Sequence, residues 1–233
     1  MDRISAPRFI DAWFIFTRVC WAIIVALSVY TLFYIAFVLA PPDLFLNDVR
    51  HGAPLFPDSP LLCNLVLVLH ILTGCPCVIL GPFLFVPWLR NHCRALHRGM
   101  GKVYVVTVLF SAVAGFAMAS VNLFGIVSRA GFMTLAVTWF STTWIAYRKI
   151  RGGNWIAHRR WMIRSYAISI AVITVRFLAK PEGMSLQTWY PIMTWLCWVP
   201  NAMIAEIYVR ITDEHGDLAY RNRTPRPRSN EES

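Results

Sequence analysis

Six side chains able to do chemistry lie in or beside long apolar runs: His70, His97, His158, Arg164, Arg176 and Glu206. Imidazole titrates near physiological pH, so a histidine in an apolar segment suits proton transfer or metal ligation. Arginine stays protonated and must find an acceptor, which suits it to anchoring a carboxylate or phosphate. A charge in hydrocarbon is costly and normally faces a bundle interior or a cavity. By depth these residues fall into an inner and an outer cluster. The inner one gathers His97, Arg98, His158, Arg159, Arg160, Arg164, Asn201 and Glu206. Glu206 needs a cation there, and Arg164 is its natural partner, one turn inside a neighbouring antiparallel segment.

The outer cluster starts from His70, whose helix face at steps of three, four and seven residues carries Cys63, Gly74, Cys77 and Gly81. Pro76 cannot donate to the Leu72 carbonyl, which frees a backbone acceptor that a neutral His70 can use. Comparable stripes run through Tyr104, Ser111, Gly115, Met118 and Asn122, through Thr134, Thr138 and Ser141, and through His158, Ser165, Ser169 and Arg176. Together these stripes frame a polar cavity whose ligand-binding set is His70, Asn122, Ser169 and Arg176. The competing reading is that small residues let membrane helices approach and hydroxyls bond between them. Cys75 and Cys77 point about 200° apart on a helix, which makes a poor metal pair.

The elements that position these residues are membrane-spanning. Of 233 residues 57% are hydrophobic and the mean hydropathy is +0.52, far more apolar than a soluble domain. A span needs about 20 apolar residues. The pattern predicts an all-α polytopic bundle of about six spans, at about 13–40, 61–89, 102–127, 131–147, 161–178 and 188–211. A cytoplasmic N-terminus, 1–12, precedes it and a disordered tail, 212–233, follows. The first run is too long for a signal h-region and reads as an uncleaved anchor.

The charge is +10, yet the basic residues sit in short connectors, where they set topology and meet anionic headgroups rather than nucleic acid. Eighteen of the 22 Lys and Arg fall on one side and four, Arg50, Arg129, Arg176 and Lys180, on the other, which places both termini in the cytoplasm. The six cysteines do not form an extracellular disulfide framework and read as free thiols.

The strings HILTGCPCVILGP, HRGMGKVYV, HRRWMIRSYA and WVPNAMIAE, with Arg176 twelve residues after Arg164, resemble the domain of unknown function family 2306, predicted polytopic membrane proteins. The resemblance covers about Leu61 to Glu206. It implies that His70, His97, Arg98, His158, Arg159, Trp161, Arg164, Arg176, Asn201 and Glu206 are signature positions, and it implies no activity.

Two function classes fit these residues. In one, the site around His70 and Arg176 binds or transports a small molecule or lipid, or uses His70 in intramembrane proton transfer. In the other, the bundle carries haem b between paired histidines as an electron carrier. His70 has no second histidine at its depth without His51 from a loop, so the haem pair is His97 with His158. No HExxH, GxSxG, Walker or dinucleotide motif is present, so the sequence supports no common reaction class.

Overall fold

The structure, a computed structural model, describes residues 19, 21–30, 33 and 60–223, with side chains described for 65–212 of the long segment. Arg3, Arg8, Arg18, Cys20, Arg50, His51, the Cys63 side chain and the tail beyond Arg223 lie outside the described residues. Every regular element among the described residues is a helix: α1 Trp21–Tyr30, α2 Pro60–Leu84, α3 Pro87–His92, α4 Arg94–Ser120, α5 Gly125–Arg151, α6 Trp155–Ser169, α7 Ala171–Phe177, α8 Leu186–Leu196 and α9 Val199–Arg223.

Three stretches among the described residues are long and apolar enough to cross a bilayer: Leu65–Leu84, Arg94–Ser120 and the combined Leu186–Thr212. The first predicted span, 13–40, lies outside the described residues except for residues 19, 21–30 and 33, and the fourth, fifth and sixth depart from the hydropathy outline. Helix α5 has 27 residues, well beyond the predicted 131–147, because its ends carry Arg129, Arg148, Lys149 and Arg151, which lower local hydropathy without breaking the helix. At 1.5 Å per residue it is roughly 40 Å long. The predicted fifth span is two helices, broken at Ile170, whose φ of −78° and ψ of 2° lie in the bridge region rather than the α basin. The predicted sixth span is also two helices, and Pro200 enters α9 at its first turn, where a missing N–H is tolerated. Helix α9 then runs on to Arg223, past the boundary set by hydropathy at Ile211.

Paired contacts give the packing directions. Between α2 and α4, His70 meets Ser111, Cys77 Sγ lies 3.3 Å from Thr107 Oγ1, and Leu84 lies against Gly101. Residue numbers rise on one helix as they fall on the other, so the two are antiparallel. The same holds between α5 and α6, where Ala146 meets His158, Thr143 meets Ser165 and Trp139 meets Ser169. The short turn from α4 to α5 makes those two antiparallel as well, so α4 and α6 run parallel. The main core, with Cys77, Tyr104, Val108, Trp139, Met162 and Tyr166, fills the space between these four helices.

One turn of α2 is shaped around Tyr166. A Cβ at Gly81 would overlap the Tyr166 ring, so only glycine leaves room for it. Pro82 has no N–H to give the Val78 carbonyl four residues back, and the Tyr166 hydroxyl donates to that carbonyl at 3.5 Å. The sequence points to Pro76 as the source of a released acceptor for His70, but the structure differs: His70 bonds across to Ser111. The described cysteines Cys75, Cys77, Cys93 and Cys197 are free thiols.

Candidate functional site

A hydrogen-bonded network lies in the buried centre of the bundle. The Tyr104 hydroxyl is 3.0 Å from Ser165 Oγ and 2.9 Å from Ser169 Oγ. Thr143 Oγ1 reaches Ser165 Oγ at 2.6 Å, and Trp139 Nε1 donates to Ser169 Oγ at 2.8 Å. Each of these groups is buried and each is bonded. Unpaired polar atoms are expensive in this setting, so such a network fixes helix register. Ser169, a candidate ligand residue from the sequence, is thus held between Tyr104 and Trp139. The predicted stripe Thr134, Thr138 and Ser141 is not the facing one: Thr134 is exposed, Thr138 bonds its own helix at the Thr134 carbonyl, and the buried hydroxyls of α5 are Ser128, Thr142 and Thr143.

The other candidate ligand residues have separate neighbourhoods. His70 Nδ1 sits 2.8 Å from the Ser111 carbonyl and 3.1 Å from Ser111 Oγ, which itself donates to the His70 carbonyl at 3.0 Å. A Cβ at Gly115 would lie 3.0 Å from the His70 ring, so glycine lets the ring lie flat on α4. Asn122 is at the turn after α4. Its Oδ1 accepts from the Phe124 N–H at 2.9 Å, its Nδ2 donates to Tyr190 at 3.4 Å, and its carbonyl accepts from Arg129 Nε at 2.7 Å. Arg176, on α7, acts electrostatically on Cys75 of α2. Tyr190, stacked on Phe124 with centroids 3.9 Å apart, and Arg129 belong to this end of the bundle, and sequence reasoning did not select them. Their signal was available in the lone charge near the start of α5.

At the opposite, basic end, Arg164 Nη2 and Nε each lie 2.8 Å from Glu206 Oε2, and Arg210 Nε lies 2.9 Å from Oε1. The Arg164 guanidinium also stands 4.9 Å over the Trp161 ring, a cation–π contact. The Arg164 and Glu206 side chains are 23% and 38% exposed, so the pair is worth less than a fully buried one. We expect Glu206→Gln to lower stability in detergent by about 1–3 kcal/mol, between the values for exposed and buried pairs. Arg164→Gln should cost less, since Arg210 still holds the carboxylate, and the double variant should recover part of the loss. Additive losses in thermal unfolding would refute the coupling. Asn201 stands apart from this pair, its Nδ2 donating to Thr174 Oγ1 at 2.9 Å and to the Cys197 carbonyl at 3.1 Å.

Two histidines, His97 and His158, lie at the basic end. His97 on α4 interacts electrostatically with His158 on α6, with Arg90 on α3 and with Arg98. His158 Nδ1 lies 2.9 Å from the Ala146 carbonyl, so that nitrogen carries the proton and Nε2 is left as an unprotonated lone pair. His97 Nδ1 is buried and makes no hydrogen bond among the described residues. Arg90, which sequence reasoning passed over, is brought here by the short helix α3. The chain segment that builds this end is basic: no Asp or Glu occurs between Asp58 and Glu182, while that stretch carries thirteen Lys and Arg.

Residues 67–209, well over half of the chain, match the family model described as a predicted membrane protein, DUF2306. No curated protein and no solved structure matches the chain.

Proposed function

We propose that this chain, which belongs to the DUF2306 family of predicted membrane proteins, binds an anionic group at its basic end, using His97, His158, Arg90 and Arg98. The carrying observation is the charge imbalance: besides Arg160 and Arg164, eight Lys and Arg gather at the ends of α3 to α6. The nearby described carboxylate, Glu206, is already held by Arg164 and Arg210. Like charges this close repel unless an anion sits among them. In a membrane protein the ready supply is the headgroup phosphate of an anionic lipid on the cytoplasmic leaflet, the side to which the basic asymmetry assigns this end. A small anionic solute offers the same chemistry. On this reading His70, Asn122 and Ser169 mainly position helices, and the anion selectivity lies at the basic end.

Purified full-length protein in a neutral detergent, titrated with phosphatidylglycerol, phosphatidylcholine or inorganic phosphate, tests this through its unfolding temperature. A ligand binding only the folded state at a hundred times its Kd stabilises by about 2.7 kcal/mol. Phosphatidylglycerol should raise the midpoint and phosphatidylcholine should not. A rise with inorganic phosphate as well would identify a solute site, and Arg90→Gln with Arg98→Gln should blunt either response. Equal stabilisation by the zwitterionic lipid would overturn the proposal.

A further inference from the structure

We propose that α7 is a hinged flap that closes the bundle at the end away from the basic one, with Ile170 as its hinge and the Thr174–Asn201 hydrogen bond as its latch. The hinge is visible in the backbone. Ile170 leaves the α basin, and the Ile173 N–H reaches the Ile170 carbonyl at 2.9 Å, an i to i−3 bond of the 3₁₀ kind. A 3₁₀ turn in mid-helix is where a rod bends, and no proline or glycine fixes this one. On the basic side of the hinge, Ser165 and Ser169 bond Tyr104 of α4, and Ser169 also takes the Trp139 N–H of α5. That network ends one residue before the hinge, so α6 is anchored to α4 and α5 while α7 beyond it is tied to α9. The tie is Asn201 Nδ2, which donates to Thr174 Oγ1 at 2.9 Å and to the Cys197 carbonyl at 3.1 Å, joining α7 to the turn between α8 and α9.

Beneath the flap, Ala171 packs with Cys197 and Trp198, and Val175 and Leu178 pack against the same cluster. Trp198 is 7% exposed, and its Nε1, which can only donate, is buried with no hydrogen bond among the described residues. A buried donor without an acceptor is expensive, and in a folded protein such a group marks stored strain. The turn that carries it holds a second 3₁₀ bond, from the Trp198 N–H to the Trp195 carbonyl at 3.4 Å. Swinging α7 outward at Ile170 gives the indole access to water and opens a way to Ser169 and the network behind it. The closed arrangement gains the latch and the apolar packing, and the open one gains a partner for Trp198, which makes α7 a two-state element.

Two native thiols read the motion. Cys197 is 2% exposed and lies beneath the flap, while Cys77 is 0% exposed and lies in the main core against Thr107. Full-length protein in a neutral detergent is treated with N-ethylmaleimide, and peptide mass spectrometry follows each cysteine separately. Global unfolding exposes both thiols together, whereas opening of the flap exposes Cys197 alone. Cys197 should therefore label faster than Cys77 in the wild type. Thr174→Val removes the acceptor of Asn201 and should speed Cys197 by about fivefold, the factor for one hydrogen bond, with Cys77 unchanged. Thr174→Ser keeps the hydroxyl and should label at close to the wild-type rate. One shared rate for both thiols in the wild type, or equal acceleration of both by Thr174→Val, would overturn the flap. Faster labelling of Cys197 that ignores Thr174→Val would remove the latch and with it the assignment of the motion to α7.

Discussion

Gly81→Ala is expected to lower the unfolding free energy by about 1–3 kcal/mol, the range for forcing atoms into a filled core. The added methyl falls on the Tyr166 ring, itself packed on Phe85 with centroids 5.7 Å apart, so the ring has no free direction to yield. Gly99→Ala makes the control. A Cβ there meets nothing within 4 Å, and alanine favours a helix interior by about 0.5–1 kcal/mol over glycine, so this variant should match or exceed wild type. Thermal unfolding in one detergent ranks the three proteins. Adding Tyr166→Leu to Gly81→Ala should restore part of the loss. Absence of any suppression would mean that the helices meet elsewhere.

The second large effect belongs to Ser169→Ala. It removes the acceptor of Trp139 Nε1, a group that can only donate, and one of the two partners of the Tyr104 hydroxyl. A buried donor left without an acceptor costs about 1–3 kcal/mol. Tyr104→Phe should be milder, because Ser165 keeps Thr143 and Ser169 keeps Trp139 and the Ser165 carbonyl. Trp139→Phe in the Ser169→Ala background removes the orphaned donor and should cost less there than in wild type, a non-additive pair. Were the two losses simply to sum, the network would not be the unit described above.

The sequence carried much of this arrangement where residues differ sharply from hydrocarbon. The glycine and cysteine face of α2 is legible because only small residues permit close approach, and Gly74, Cys77 and Gly81 do face α4 and α6. Arg164 and Glu206 are legible because opposite charges at matched depth have few alternatives. Threonine stripes are not legible in the same way. Thr138, Thr142 and Thr143 each bond a carbonyl four residues back, so their hydroxyls are satisfied whichever way the helix faces. Periodicity therefore gives no direction on α5, and Trp139, the residue that does decide it, resembles any other apolar position. The break at Ile170 involves no proline or glycine, and nothing in ISIAVIT announces it.

The dependence of α2 on Tyr166 also sets a schedule. The two partners of the Val78 carbonyl bond are 88 residues apart in the chain. At a synthesis rate of about 5–20 residues per second, the helix that needs a hydroxyl donor exists for roughly 4–18 s before that donor is made. During this interval a carbonyl stripped of its partner by Pro82 and a notch at Gly81 both face whatever surrounds the half-made chain, and an unsatisfied backbone group in lipid costs several kcal/mol. The bundle can close around this turn only once the helix bearing Tyr166 has been made.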